Sequence, residues 1–372
     1  MNKQSSFQIP ENVYNRIILV GNGFDLALGL NTRYSDFLLY YLKKNCETQL
    51  LDYPSGNELF SIDERFTNAP GYYGSLYNHI KDEENIDSVV KFLQDHLAVS
   101  FHSELLRTLI KHHQRGRWVD IESVYYTLLN KYHSGTGRDK IRQLNQSMDV
   151  LLEHLNAYII EVQKGVTEDH YDHFRNLAIA LSGSIPISLR NLIKIQKNNT
   201  LPSSILFLNF NYTNTITKFI NIAGYQFRNI DTYEIFIHGS VGSDDNPIIF
   251  GYGDDTGEEY KALENSNNPE YLRMIKSFKY PQTNNYHNLL NFLEQSDFEV
   301  FVLGHSCGLS DRTLLKTIFE HENCIAIQLY NYNGKDEFFY KSIEVSRHFD
   351  NKMLMRERLL PYSELAKIPQ NT

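Results

Sequence analysis

The chain of 372 residues has few cysteines, no excess of basic residues and no long apolar run. Its three cysteines, Cys46, Cys307 and Cys324, form no CxxC pair, which argues against a thiolate zinc site and fits a reducing cytoplasm. The net charge of -9 gives no strong signal for nucleic-acid binding, which needs a basic face. No stretch approaches the roughly 20 apolar residues of a membrane helix, and residues 1–14 lack a signal-peptide core. We therefore expect a cytoplasmic protein with no membrane partner.

The stretch from Arg16 to Leu30 combines a short apolar β-type run with two glycines and a helical pattern. The run ends at Gly21-Asn22-Gly23, where the first glycine permits a tight turn and the second lets backbone approach a phosphate. Backbone N–H groups at the start of the next helix would add an anion site. The third glycine of the ordinary dinucleotide fingerprint is absent, because Leu26 stands in its place. The stretch is therefore either a ligand loop or a structural turn.

Short apolar runs later in the chain are typical of strands buried on both faces of a parallel sheet. They lie at 204–209, 234–238, 247–250, 298–303 and 324–329, and helical patterns at 213–222, 271–278, 286–294 and 311–322 supply crossovers. Residues 87–197 are helical in pattern, without strand-like alternation. The sequence thus predicts an α/β fold: a doubly wound, mostly parallel sheet with a large all-helical insertion. We expect 1–45 and 200–335 to form the α/β domain, 46–199 the insertion and 336–372 a C-terminal extension.

Small or hydrogen-bonding residues follow four of the predicted strands. They are Gly21-Asn22-Gly23-Phe24-Asp25, Asn209-Phe210-Asn211-Tyr212-Thr213-Asn214, His238-Gly239 and Gly304-His305-Ser306. In parallel strands all four ends lie on one rim, where doubly wound sheets bind ligands. The alternative is structural, since asparagines form Asx-turns and caps and backbone carbonyls can satisfy a histidine. In that alternative Ser310 caps the next helix and Asp311 favours its dipole. Four such ends together favour a ligand site.

Other carboxylates allow more than one interpretation. Asp120 and Glu122 stand at a predicted helix start, where capping and dipole interactions are the simplest role and projection into the site is the alternative. Asp244-Asp245 and Asp254-Asp255 flank glycines in loops, but neither pair has the ligand spacing of a calcium loop. The sequence therefore predicts no metal site.

Residues 18–37, which read Ile-Leu-Val-Gly-Asn-Gly-Phe-Asp-Leu-Ala-Leu-Gly-Leu and end in Tyr-Ser-Asp-Phe, closely resemble the opening motif of the AbiH family. That family is associated with bacterial abortive infection against phage. The later motifs occur in the order expected of the family: Trp118-Val-Asp-Ile-Glu122, Asn209-Phe-Asn-Tyr-Thr-Asn214, His238-Gly239, and Gly304-His-Ser306 with Asp311. The resemblance runs from residue 16 to about residue 330. It implies an anti-phage function with a phage-derived trigger that the sequence does not identify.

The order of these motifs is more distantly similar to that of sirtuin-like NAD-binding domains. Gly21-Asn22-Gly23 would correspond to the Gly-Ala-Gly of those domains, Asp36-Phe37 to their Asp-Phe pair, and Asn211 to the asparagine of their Thr-Gln-Asn-Ile-Asp segment. His238-Gly239 matches their catalytic His-Gly, and Gly304-His305-Ser306 resembles their Gly-Thr-Ser. The chain departs from the pattern at Asn22, Asp25, Leu38 and Thr213, and it has no cysteine quartet for structural zinc. The missing zinc module argues against protein deacetylation.

The sirtuin resemblance implies a sirtuin-like Rossmann sheet, NAD as ligand and substrate, and cleavage of the nicotinamide–ribose bond without a metal. Asn211 would orient a water molecule, and His238 would act as general base, which suits an ordinary pKa near 6.5. Backbone N–H groups of the loop carrying Gly21, Gly23 and Phe24 would hold the phosphates. Ser306 and Asp311 would serve the adenosine half. The remaining candidate cofactor-binding residues are Asn22, Asp25, Asp36, Phe37, Asn209, Tyr212, Gly239, Gly304 and His305.

Two other functions stay open at this point. The pocket would recognise a nucleotide or ADP-ribose without catalysis, or the chain would be a nucleic-acid-acting toxin that uses Asp244, Asp245 and Asp254. The acidic net charge weighs against the second of these. In each case the insertion would act as a lid, a sensor or a homo-oligomer surface.

Overall fold

The computed structural model describes residues 14–51, 59–62, 70–97, 99–116, 120–135, 137–166, 170–184, 201–364 and 366–368. The chain divides into two compact units. Unit 1 consists of Met1–Leu30, Gly165–Ile248 and Tyr280–Thr372, and unit 2 of Asn31–Lys164 and Ile249–Lys279. These boundaries differ from the expected ones, because 31–45 falls in unit 2 and both 165–199 and 336–372 fall in unit 1.

Strands and helices alternate along unit 1, whereas helices dominate unit 2. The strands are β1 (Asn15–Val20), β2 (Phe60–Ile62), β3 (Val99–Phe101), β4 (Ser204–Asn209), β5 (Asp231–Phe236), β6 (Phe298–Leu303) and β7 (Cys324–Leu329). The helices are α1 (Asn22–Ala27), α2 (Tyr34–Leu51), α3 (Pro70–Asp82), α4 (Ile86–His96), α5 (Glu104–Gln114), α6 (Ile121–Ser134), α7 (Ile141–Val162), α8 (Tyr171–Ser182), α9 (Thr215–Ala223), α10 (Glu258–Glu264), α11 (Asn285–Gln295), α12 (Arg312–Phe319), α13 (Lys335–Ser346) and α14 (Lys352–Arg358). Among these helices, none is long and apolar enough to cross a membrane.

The sheet of unit 1 is parallel throughout and has the strand order β5-β4-β1-β6-β7. From β1 the chain adds β4 and then β5 on one side, returns, and adds β6 and β7 on the other. The direction of strand addition therefore reverses between β1 and β6, which makes their carboxyl ends the topological switch point. The apolar side chains of β1, β4 and β6 are buried, as expected for strands covered on both faces. The predicted α/β class is confirmed.

A buried ion pair crosses the two central strands. Arg16 on β1 lies opposite Glu299 on β6 in the register, and its Nε donates to Oε1 of Glu299 at 2.6 Å. Both side chains are fully buried. The Arg16 guanidinium also lies 4.1 Å from the ring centroid of Phe301 and donates to the backbone oxygen of Leu181. Buried charges persist only when paired, so the two residues depend on each other.

Three expectations about individual segments were wrong. Residues 247–250 form no strand, because Pro247 has no N–H to donate to a sheet. Residues 271–278 contain only the short 3₁₀ segments Pro269–Tyr271 and Lys276–Phe278 rather than a crossover helix. The insertion is not all-helical, since β2 and β3 pair as a separate antiparallel ribbon. Each of its strands has three residues, too few to show alternation. Within 87–197, residues 185–197 lie outside the described part of the chain.

Unit 2 packs its helices around a core that includes one buried ion pair. Glu122, in the first turn of α6, accepts from the backbone N–H of Gly251 at 3.0 Å and from Nζ of Lys276 at 3.1 Å. The Lys276 side chain is 1% exposed. This pair ties the 249–279 segment of the unit to α6, although the two are far apart in the sequence.

Candidate functional site

The loop after β1 packs backbone to backbone against the loop after β6. The N–H of Gly21 donates to the oxygen of Leu303 at 3.0 Å, and the N–H of Gly23 donates to the oxygen of Gly304 at 2.9 Å. A Cβ on Gly21 would lie 2.4 Å from Cα of His305, and one on Gly23 would lie 2.8 Å from Cα of Gly304. Both glycines are therefore needed for this approach of two protein segments, in the place where the sequence suggested a phosphate.

Phe24 anchors the same loop in the core. Its fully buried ring stacks on Phe174 of α8 with centroids 6.4 Å apart and meets Phe219 of α9 edge-on at 6.0 Å. Helix α1 that carries it has six residues, Asn22–Ala27. The phenyl ring has a packing role, and the N–H of Phe24 donates to the backbone oxygen of Gly21 at 2.9 Å. The N–H groups of Gly21, Gly23 and Phe24, which the sequence suggested for phosphate binding, are therefore all engaged inside the protein.

Asp25 ties the loop after β1 to the segment after β4. Its fully buried carboxylate accepts from Oγ1 of Thr213 at 2.7 Å and from Oγ1 of Thr215 at 2.5 Å. Burial raises the pKa of Asp25 to about 6, while the two threonine hydrogen bonds act in the opposite direction. Both carboxylate oxygens are thus engaged inside the protein. The structure gives Asp25 an internal role rather than an exposed position for a ribose hydroxyl.

Asn209 and Asn211 fold the turn that follows β4. Oδ1 of Asn209 accepts from the N–H of Asn211 at 2.9 Å, which is an Asx-turn as the structural alternative expected. Nδ2 of Asn211 then donates to the oxygen of Gly21 at 3.1 Å. Because a carbonyl acceptor requires the NH₂ group on that side, the orientation of the amide is defined, and its oxygen points elsewhere. The buried Asn211 is thereby held beside the loop after β1.

Asp311 lies between two buried histidines from different strand ends. Its Oδ1 is 3.2 Å from Nε2 of His238, and its Oδ2 is 3.5 Å from Nε2 of His305. Asp311 occupies the N-cap position of α12 but makes no capping hydrogen bond there. Ser310, which the structural alternative made the cap, lies within the 3₁₀ turn Leu309–Asp311 that precedes the helix, and Asp311 takes the N-cap position. The carboxylate is suited to orienting imidazoles.

The rings of neighbouring aromatic residues enclose the two histidines. Phe210 meets His238 edge-on with centroids 5.2 Å apart and lies 4.2 Å from His305. Tyr280 stacks on His238 at 6.4 Å and on Tyr286 at 5.4 Å. Burial among aromatic rings lowers the local polarity, which strengthens the electrostatic interactions of the Asp311 carboxylate.

A second hydrogen-bonded chain leads from His305 to His348. Nδ1 of His305 accepts from the N–H of Cys307 at 3.0 Å, which places its proton on Nε2, toward Asp311. Cys307 has a φ of 56°, and its oxygen lies 2.8 Å from Nε2 of His348. Burial lowers the pKa of His348 to about 4, so this imidazole is neutral and donates from Nε2.

The other candidate residues occupy varied environments. Gly239 has a φ of 75°, and a Cβ there would lie 2.1 Å from the oxygen of Pro247. Tyr212 accepts at its backbone oxygen from the N–H of Val241, Asn22 is half-buried and Ser306 is exposed. Asp36 and Phe37 belong to unit 2. There Asp36 accepts from the N–H of Arg33, and the buried Phe37 packs near Tyr41 and Tyr158.

The polar residues described above are called the unit 1 cluster: Asp25, Asn209, Asn211, Thr213, Thr215, His238, His305, Asp311 and His348. Asp120, Glu122 and Asp254 lie outside this cluster and have structural environments. Asp120 caps α6 by accepting from the N–H of Ser123 at 3.1 Å, and Glu122 pairs with Lys276. Asp254 accepts from the N–H and the hydroxyl of Thr256. Across the described ranges, no group of three or more His, Cys, Asp or Glu side chains is placed to hold a metal ion. Trp118 and Val119 lie outside those ranges.

Sequence reasoning named most members of the unit 1 cluster but not their partners. Thr215 and His348 were missed, and no local pattern marks either residue. The sirtuin resemblance assigned Asp311 to the adenosine half, and the structure places its carboxylate between His238 and His305. The only sequence signal for this contact is that both histidines follow predicted strands, whose carboxyl ends share one rim.

The comparisons with known proteins find one family model that covers most of the chain. A search of curated proteins finds no match to the chain. The family model for bacteriophage abortive infection AbiH matches residues 17–332, which include most of β1, all of β2 to β7 and every member of the cluster except His348. The chain therefore belongs to the bacteriophage abortive infection AbiH family.

Proposed function

We propose that this chain acts in abortive infection by binding NAD at the carboxyl ends of the unit 1 strands and hydrolysing its nicotinamide–ribose bond. The observation that carries the proposal is the pairing of His238 with Asp311 next to the tethered Asn211. Asn211 and His238 each lie two residues beyond a strand end, and those ends, Asn209 and Phe236, are partners in the register. Neighbouring strands are about 4.8 Å apart, so the two side chains fall within reach of one small substrate.

The reaction replaces one bond to the ribose by another. The oxygen of a water molecule forms a bond to C1′ of the ribose as the C1′–N bond to nicotinamide breaks. The electron pair of that bond returns to the ring nitrogen, which becomes neutral, and the water gives one proton to a base. The products are ADP-ribose, nicotinamide and a proton. Positive charge develops on the ribose in the transition state, as in other glycosidic cleavages.

His238 is suited to be the base in this reaction. Nε2 of His238 lies 3.2 Å from Oδ1 of Asp311. In the tautomer that carries its proton on Nε2, the lone pair of the neutral imidazole is on Nδ1, which would accept the proton. The carboxylate of Asp311 then stabilises the imidazolium that forms. Asn211 would direct its amide oxygen at the water, because its NH₂ group is engaged by Gly21. Asp311 is thus a positioning residue for His238.

The reversal of strand order between β1 and β6 also supports a ligand at this edge, since open α/β sheets bind ligands at such positions. Any side chain introduced at Gly21 or Gly23 would collide with the loop after β6. The N–H groups of Gly21, Gly23 and Phe24 donate within the protein, so the loop would not hold the pyrophosphate through them. The proposed substrate, NAD, is a dinucleotide with a cationic leaving group.

The test is release of nicotinamide from NAD by the purified full chain, followed by chromatography with and without EDTA. We expect wild type to be active, and Asn211→Ala and His238→Ala each to lose about 10²–10⁴ in rate, as is typical for loss of acid–base residues. Matched controls are His287→Ala and Asn288→Ala, two exposed residues of α11, which are expected to keep full activity. Activity that survives in both site variants would contradict the assigned roles.

The cellular arm of the test follows NAD levels and plaque counts in infected cells that express each variant. The hydrolase proposal predicts that NAD falls in wild-type cells only and that protection is lost with Asn211→Ala and His238→Ala. If protection depends on these residues while NAD stays constant in wild-type cells, NAD cleavage is not the activity.

A second candidate function is recognition of a nucleotide or ADP-ribose without turnover. It is favoured by the burial of His238, His305 and Asp311, in which Nε2 of each histidine lies within 3.5 Å of the Asp311 carboxylate. A preformed site of this kind loses little entropy when it binds. Calorimetric binding of ADP-ribose by a wild-type chain that releases no nicotinamide would select this function over hydrolysis.

A further inference from the structure

Helix α13 carries an exposed apolar stripe on one face. Phe339 is 60% exposed, Tyr340 68% and Ile343 38%, whereas Val345 on the opposite face is buried. Exposed aromatic and aliphatic side chains grouped in this way mark an interaction surface more often than single exposed residues do. The stripe lies beyond the residues that match the family model and apart from the cluster proposed to act on NAD.

A charge of opposite sign stands at each end of this stripe. Asp336 lies four residues before Tyr340, and Arg347 lies four residues after Ile343. Both are exposed, and the spacing puts them on the same helix face as the apolar side chains. Arg347, the C-cap residue that follows α13, makes an exposed ion pair with Glu344 of the helix at 2.8 Å. Pairs of this type contribute little and can exchange.

We propose that the stripe is a self-complementary dimer surface, on which α13 packs antiparallel against α13 of a second copy of the chain. Around a two-fold axis at the midpoint between Tyr340 and Ile343, each Asp336 faces Arg347 of the partner subunit. Tyr340 then faces Ile343 of the partner subunit. A two-fold interface uses the same patch on both copies, so each favourable contact occurs twice.

The arrangement of charge selects this occupant over the alternatives. Parallel packing of two copies would place Asp336 against Asp336 and Arg347 against Arg347, which is repulsive. A partner of uniform charge would match one end of the stripe and oppose the other. A twelve-residue helix is about 18 Å long, so a single helix pair lies below the size of a standard interface. The dimer is therefore weak, with a dissociation constant on the order of micromolar.

The test is a charge-reversal exchange followed by sedimentation velocity at about 1–100 µM protein. We expect wild type to dimerise with increasing concentration, and Asp336→Arg and Arg347→Asp each to raise the dissociation constant at least tenfold. An equimolar mixture of these two variants is expected to dimerise again, because every Arg then faces an Asp. The chain that carries both reversals is expected to dimerise for the same reason.

Controls separate this surface from general effects of charge. Glu322→Arg and Arg356→Asp alter exposed residues outside α13 and are expected to leave dimerisation unchanged. Ile343→Asp is expected to abolish it, and circular dichroism checks that each variant is folded. A wild-type chain that stays monomeric throughout overturns the proposal. So does a mixture of the two reversed variants that stays monomeric while wild type dimerises.

Discussion

The buried carboxylate of Asp25 makes the stability of unit 1 depend on pH in a defined window. Its pKa is raised to about 6 in the folded chain from 3.8, so between these values the folded state binds the proton more tightly than the unfolded state. Stability contributed by the protonated form is then complete below pH 3.8 and is lost as the pH rises toward 6. The full loss is about 3 kcal/mol, at about 1.4 kcal/mol per pKa unit.

Asp25→Asn is the matching variant, because the amide is neutral at every pH and has nearly the same shape. Thr213 and Thr215 can each donate to or accept from it. Between pH 4 and 7 we expect wild type to lose about 2 kcal/mol of stability relative to Asp25→Asn. Titrations of all other groups cancel in this difference, provided that the substitution leaves their environments unchanged.

Hydrogen exchange followed by mass spectrometry is the appropriate assay, since a chain with two units need not unfold in one step. Asp25 links the segment after β1 to the segment after β4. The backbone amides of these two strands therefore report the opening of the sheet next to Asp25. After correction for intrinsic exchange, the opening free energy of wild type minus that of Asp25→Asn is expected to fall across the window. A difference that stays constant between pH 4 and 7 would refute the reasoning.

Two further predictions concern backbone packing and buried charge. Gly23→Ala is expected to destabilise unit 1 by about 1–3 kcal/mol, because the added Cβ would overpack against Gly304. Gly257→Ala, with open space around it, serves as the control in thermal denaturation. Arg16→Met is expected to cost about 3–5 kcal/mol by leaving Glu299 as an unpaired buried charge. The double variant Arg16→Met with Glu299→Met is expected to recover part of that loss in the same assay. If the single variant Arg16→Met and the double variant melt at the same temperature, the pairing argument is contradicted.

The close contact of Gly23 with Gly304 affects how a substitution at Gly23 is interpreted. A bulky residue such as valine at this position would be expected from the sequence to abolish nucleotide binding and leave the fold intact. The contact with Gly304 means that any side chain also perturbs the packing of the two loops. Loss of binding in such a variant is therefore informative only when its stability is measured beside it.

Much of the fold followed from local pattern. The apolar runs that became β1, β4, β6 and β7 were recognisable because a strand buried on both faces must be apolar throughout, whatever packs on it. The glycine and asparagine residues after those strands were equally visible, and the parallel topology was enough to place them at one edge. The run at 247–250 failed as a strand because Pro247 cannot complete a ladder, and three-residue strands such as β2 were too short to detect.

The pairing of polar groups was decided only by the tertiary structure. Arg16 with Glu299, Asp25 with Thr215, and Asp311 with His238 and His305 are joined across segments that are far apart in the sequence. Burial makes a partner obligatory for each of these groups, but it does not say which residue the partner is. That choice depends on strand order and register, which bring the ends of β1, β4 and β6 together. The sequence by itself thus determined which residues must be buried and where strands end, and the packing of the sheet determined what each buried polar group contacts.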